Sequence, residues 1–64
     1  MVKVNGESVN CGGQTAEQFL LEHGYDLKRV AVECNGEIVP KSQYSSYVFK
    51  DGDSVEVVRF VGGG

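Results

Sequence analysis

No stretch of this chain is long and apolar enough to span a bilayer, and its N-terminus lacks the apolar core of a signal peptide. A membrane is therefore not an expected partner, and the expected location is the cytoplasm. Basic residues are scarce: six Lys and Arg stand against nine Asp and Glu, for a net charge of −3, and Lys28-Arg29 is the only adjacent basic pair. Phosphate backbones are bound by clustered cations, so this balance argues against nucleic acid as the main partner. Cysteine occurs twice, as Cys11 and Cys34, at a spacing that matches no metal motif. Without a secretion signal, both thiols are expected to be reduced rather than bridged. Histidine occurs once, and His23 has no carboxylate and thiol arranged near it in the sequence, so it carries no catalytic signal. Length is short as well. Sixty-four residues make one domain that buries only about 60% of the surface its unfolded chain exposes, which argues against a deep catalytic cleft.

What the chain does have is glycine, and three of its nine glycines are the last three residues. Average glycine usage is about 7%, so a Gly-Gly ending arises by chance in roughly 0.5% of chains. Without Cβ atoms, Gly62-Gly63-Gly64 forms a thin thread that accepts φ of either sign and fits a narrow channel. Its α-carboxyl has a reference pKa of about 3.3–3.7, so at neutral pH it is an anion able to attack the α-phosphate of ATP. A frayed end or an expression linker is the competing reading, but such linkers mix Gly with Ser or carry a tag, and neither is present. With Met1 first, the chain reads as a complete small gene product. The expected organisation is a folded domain over 1–61 and a flexible tail over 62–64.

The folded part shows regular patterning, with 41% hydrophobic and 23% charged residues. Met1 to Val4 and Glu7 to Asn10 flank Asn5-Gly6, a strong hairpin signal. Thr15 and Gln18 have the spacing of a capping box, and Ala16, Phe19, Leu20 and His23 follow on one helical face. These residues predict a helix over Thr15 to His23, stopped by Gly24. His23 would then serve as a helix-dipole partner or a surface residue. Val30, Val32 and Cys34 alternate in a third strand over Lys28 to Cys34, Asn35-Gly36 turns the chain, and Glu37 to Val39 is a short fourth strand ended by Pro40. Lys41 to Tyr47 is a connector with room for a helical turn, with Tyr44 and Tyr47 available for packing. Asp51-Gly52 then turns into the last strand, Ser54 to Val61. Cys34 is in phase with the core, whereas Cys11 lies in the Asn10 to Gly13 loop, where an exposed thiol is expected, with an incidental thiol favoured over a redox or sulfur-relay role.

In the last strand Val55, Val57, Arg59 and Val61 point one way and Glu56, Val58 and Phe60 the other, so both faces turn apolar towards the tail. One helix covers one sheet face. Val55 and Val57 therefore belong to the core, and Val58 and Phe60 are left as an exposed apolar patch for partner docking. Shielding by loops accounts equally well for Val58 and less well for Phe60. The order strand, strand, helix, strand, short strand, connector, strand describes an α+β β-grasp fold: a mixed sheet of four to five strands, one helix across it, and the last strand central and parallel to the first.

Over nearly its whole length the sequence resembles the ubiquitin-like sulfur carriers, most closely the ThiS-like carriers of thiamine biosynthesis. The specific pieces are Val4-Asn5-Gly6-Glu7, Asn35-Gly36-Glu37-Ile38-Val39-Pro40, and Asp51-Gly52-Asp53 before a strand ending in Gly63-Gly64. Gly62 stands where a small residue usually precedes the pair, and the connector is Tyr-rich where many relatives carry an Arg. The resemblance implies a carrier protein and not an enzyme. In this reading a ThiF-like partner uses ATP and Mg to adenylate the carboxylate of Gly64, and a cysteine desulfurase route supplies sulfur. The resulting thiocarboxylate feeds a ThiG-like thiazole synthase. Gly62 and Gly63 enter each partner's site, Val58 and Phe60 dock the sheet face, and the carrier itself binds no cofactor or metal. Two alternatives share features of this reading: a carrier for molybdopterin or another sulfur metabolite, or a protein modifier, keeps the tail chemistry. A passive interaction domain does not.

Overall fold

The computed structural model describes residues 1–60. Five strands form one mixed sheet in the order β2-β1-β5-β3-β4, with a single helix across one face. The strands are β1 (Val2–Val4), β2 (Glu7–Val9), β3 (Val30–Cys34), β4 (Glu37–Val39) and β5 (Ser54–Arg59), and the helix α1 spans Ala16–Glu22. This is the β-grasp arrangement. The last strand is the middle one, parallel to β1 and antiparallel to β3. Val61, Gly62, Gly63 and Gly64 lie outside the described residues, and with them the end of the expected last strand and the tail.

Both Asn-Gly pairs turn hairpins. Asn5 and Asn35 adopt φ of 51° and 54°, and each is followed by a glycine at 84°, the two positive values that a tight two-residue turn requires. Each asparagine side chain also reaches β5. Asn5 Oδ1 accepts the Val57 N–H at 2.9 Å, and Asn35 Oδ1 accepts the Ser54 N–H at 2.9 Å. The parallel β1–β5 register stops at Val4↔Val55, so Asn5 carries the ladder one step beyond the end of β1. Asp53 completes this lower end, accepting the Lys50 N–H at 2.9 Å and the Asn35 amide at 3.0 Å. The Lys50 N–H is the chief reason its carboxyl titrates below the ordinary aspartate range.

Replacing Asn5 by alanine removes the acceptor and strains the positive φ, and we expect it to cost about 2 kcal/mol. Asn5→Gly retains the turn and loses only the side-chain bonds to Val57, so its cost should be smaller. Urea titrations with an unchanged m-value measure both. Equal stability of wild type and Asn5→Ala would show that the side chain does not clamp β5.

The helix forms where its sequence signals place it. Thr15 Oγ1 accepts the Gln18 N–H at 3.1 Å, and Gln18 Oε1 accepts the Thr15 N–H at 2.9 Å, a closed capping box. Ala16, Phe19 and Leu20 are buried against Val2, Val4, Val30, Val32, Val55 and Val57 from the sheet. His23 caps the C-terminal end with Nδ1 2.9 Å from the Phe19 carbonyl, and Gly24 turns the chain out at φ 76°. Tyr44 and Phe49 close the core from the connector, Tyr44 with its hydroxyl donating to Val30 O at 3.3 Å. A single 3-10 turn, Lys41–Gln43, fills the connector.

Two expectations need correction. Strand β3 begins at Val30 and not at Lys28, because Asp26 Oδ1 accepts the Lys28 N–H at 2.9 Å and caps a 3-10 turn over Leu27–Arg29. Cys11 is buried, with 2% of its surface accessible. The turn around it is folded inward by Cys11 N–H to Val9 O, Gln14 N–H to Cys11 O and Gly13 N–H to Phe49 O. Burial pushes the Cys11 thiol up from its ordinary pKa, away from the thiolate form that nucleophilic chemistry requires. Cys34 is buried as expected, and its thiol is raised for the same reason.

Candidate functional site

Strand β5 delivers the end of the chain, and the residues around its last turns define the candidate site. Alternation along a strand sends Val55 and Val57 to the helix side, where both are buried, and Glu56 and Val58 to the open side. Antiparallel register sets Val58 opposite Ala31 and Glu56 opposite Glu33, and it sets Glu33 opposite Ile38. Beyond the strand, the Phe60 N–H still donates to Arg29 O at 2.8 Å, so Phe60 remains attached to the start of β3.

The expected docking residues are on the surface: 54% of Val58 and 52% of Phe60 is accessible. Loops do not shield Val58. Ile38, 65% exposed, shares the open side of the sheet with Val58 and is not among the docking residues the sequence singles out. The hairpin signal was sufficient to find it, because a two-residue turn at Asn35-Gly36 pairs Cys34 with Glu37 and sets Ile38 on the side opposite Val39. The open face is thus graded. Glu33 and Glu56 face each other directly towards the start of β5, a like-charge pairing that disfavours the sheet, and Val58 and Phe60 occupy the end nearest the tail.

Cations gather at that same end. Lys41 Nζ donates to Lys28 O at 2.7 Å and lies 5.6 Å from the centroid of the Phe60 ring. The Arg59 guanidinium sits 4.7 Å above the Tyr25 ring, and Arg29 Nε is 3.6 Å from Asp26 Oδ2. Among the described residues, no group of three or more His, Cys, Asp or Glu could hold a metal ion. No described helix is long and apolar enough to cross a membrane.

The ThiS family model matches residues 1–64, the whole chain. The chain belongs to the ThiS family. It is 41% identical over 64 residues to the sulfur carrier protein ThiS of Thermus thermophilus, covering all of both chains. It is 36% identical over 66 residues to ThiS of Bacillus subtilis, again covering all of both. A thiazole synthase of Paramagnetospirillum magneticum is 50% identical over 62 residues, which are 95% of this chain but 19% of that longer protein. The crystal structure of ThiS from Geobacter metallireducens superposes with a TM-score of 0.76 at 31% identity, covering 98% of this chain and 97% of the other. These full-length relatives are named as carriers and not as enzymes, in agreement with the reading of the sequence. The ThiS family assignment, the β-grasp fold and the place of this sulfur carrier family in thiamine biosynthesis are thereby established.

Proposed function

We propose that this ThiS family member carries sulfur as a thiocarboxylate on Gly64 and donates it for formation of the thiamine thiazole. Support comes from one juxtaposition above all. The central strand of the sheet, β5, is the last described element before Gly62-Gly63-Gly64 in the sequence, and Val58 and Phe60 at its C-terminal end are exposed. Glycines at 62 and 63 suit passage through a narrow channel, since no side chain opposes the walls.

In the proposed sequence the Gly64 carboxylate attacks the α-phosphorus of ATP within a ThiF-like enzyme, which supplies the nucleotide and Mg, and pyrophosphate leaves. The acyl-adenylate has a good leaving group. The outer sulfur of a persulfide, charged by a cysteine desulfurase, attacks the carbonyl carbon, and the carbonyl–AMP bond breaks. A thiol then reduces the resulting acyl disulfide and releases the thiocarboxylate. A ThiG-like thiazole synthase is the proposed acceptor. Support for this partner is the thiazole synthase relative, in which a segment similar to this chain and the remainder of the protein share one polypeptide.

Intact mass measurement after incubation with the activating enzyme, ATP and a sulfur source tests the proposal. A gain equal to replacing one oxygen by sulfur is expected, localised to Gly64. An unchanged mass with a demonstrably active enzyme would overturn it. A second expectation concerns docking. Phe60→Glu places a charge in the apolar patch and should weaken binding to the activating enzyme by about tenfold or more while leaving the fold intact. Titration calorimetry beside a thermal melt checks this, and unchanged affinity would remove Phe60 from the interface.

A further inference from the structure

We propose that Lys28, Arg29, Lys41 and Arg59 form a cationic collar at the base of the tail that seats against acidic side chains at the mouth of the adenylating partner's channel. This inference rests on the sulfur-carrier reading above and adds to it a charged surface that adjoins the apolar patch at Phe60. The collar was hidden in the sequence, where Lys41 and Arg59 are far from Lys28-Arg29. Three contacts assemble it: the Phe60 N–H bond to Arg29 O, the Lys41 bond to Lys28 O, and the pairing of Arg59 with Val30.

Charge is divided unevenly along the molecule. Near the four cations of the collar are Asp26, paired with Arg29, and Glu17, which lines a cleft of about 270 Å³ with Lys28 and Lys41. The other two cations lie apart from these, Lys3 in β1 opposite Ser8 and Lys50 beside Asp53, whose carboxylate accepts its N–H. Four of the six cations thus lie together near Phe60, the last described residue before the tail sequence. Three of the collar cations are already held, Arg59 on Tyr25, Lys41 on the Lys28 carbonyl and Phe60 ring, and Arg29 by Asp26. Side chains held before contact lose less freedom on binding.

Position selects the occupant. The reacting carboxylate is four residues past Phe60, and four residues span at most about 14 Å. Nucleotide phosphates reside with that carboxylate, inside the partner, whereas the collar belongs to the folded domain and stays outside with the channel mouth. The surface that meets it is therefore protein, and carboxylates there complement it. Such complementarity acts on encounter and orientation more than on the chemical step.

The test compares two double variants that change net charge equally. Lys28→Glu with Arg29→Glu reverses the collar, and Lys3→Glu with Lys50→Glu alters the opposite end; thermal melts confirm that both fold. Pyrophosphate release by the ThiF-like enzyme is followed at varied carrier concentration, from about 0.01 M to about 0.15 M salt. The collar variant should raise the carrier KM by about tenfold at low salt, with kcat nearly unchanged and the difference shrinking as salt rises. The control pair should stay within about threefold of wild type. Equal effects from both pairs, no effect from the collar pair, or tighter binding on reversal would each overturn the inference, the last by indicating a basic mouth. A wild-type carrier that is never adenylated overturns the sulfur-carrier reading itself, whereas normal adenylation of wild type with an unaffected collar variant overturns the collar alone.

Discussion

Under the proposed function, deletion of Gly64 is expected to abolish sulfur loading and to leave the melting temperature within about 2 °C of wild type. The shortened chain still ends in a glycine carboxylate, Gly63, so the loss is one of reach and not of functional group. One residue of chain spans roughly 3.3–3.6 Å, and a misplacement of only about 1 Å at a reacting centre is enough to cost about a hundredfold in rate. Stability is expected to hold because the described strands and helix end at Arg59, and the last backbone bond described is that from Phe60 to Arg29. Mass measurement for loading and a thermal melt for stability separate the two effects. Loading at the wild-type rate would mean that the partner does not measure tail length, and a large fall in melting temperature would mean that the terminal residue contributes to the fold.

Phe19→Ala should have the opposite profile, with chemistry lost only because the domain unfolds. Phe19 is fully buried in the middle of α1, meets the edge of Phe49 at a centroid distance of 6.0 Å, and supports the His23 ring at 4.2 Å. Truncating a buried phenylalanine costs about 3–5 kcal/mol. A domain of this length has a total stability of about 3–10 kcal/mol, so a single substitution removes much of it. Denaturant titration measures the loss, and a value below about 1.5 kcal/mol would show that the core closes over the cavity. Alongside Phe60→Glu, it separates the two aromatic residues into one that holds the domain together and one that meets a partner.

Local signals account for most of what the sequence revealed. Asn-Gly pairs, a Thr15–Gln18 capping box, and the alternation of Val30, Val32 and Cys34 all act within a few residues, and each produced the element it indicates. The central place of β5 followed from a Val-rich run that needs a neighbour on both sides. Misreadings came where a distant or competing bond decides. Asp26 captures the Lys28 N–H and delays β3 by two residues, against the β-branched pattern. Cys11 looked like a loop thiol because its burial depends on a bond from Gly13 to Phe49, 36 residues further along the chain, which no local period reports. The asparagine clamps escaped notice for the same reason, since Asn5 and Val57 are 52 residues apart. At the candidate site, Val58 and Phe60 were legible from alternation within one strand, whereas the cationic collar required cross-strand contacts to assemble.

The like-charge pair Glu33 and Glu56 fits the graded face described above. Repulsion between directly opposed carboxylates disfavours pairing of β3 with β5, yet the two strands remain joined over five register pairs by buried Val30, Val32, Val55 and Val57 on the other side. The open face therefore keeps its charge at one end and its apolar patch at the other, without loss of register.

Because the middle strand of the sheet follows the other four in the sequence, β1 has only β2 and β3 only β4 as a neighbour until Ser54–Arg59 has been made. A product terminated before Ser54 lacks the centre of its sheet along with the tail, and its apolar core residues stay in water. Such a chain resembles an unfolded protein to any protease that surveys the cell. A copy truncated before Ser54 would therefore be expected to be cleaved readily, as a consequence of the topology that makes β5 central.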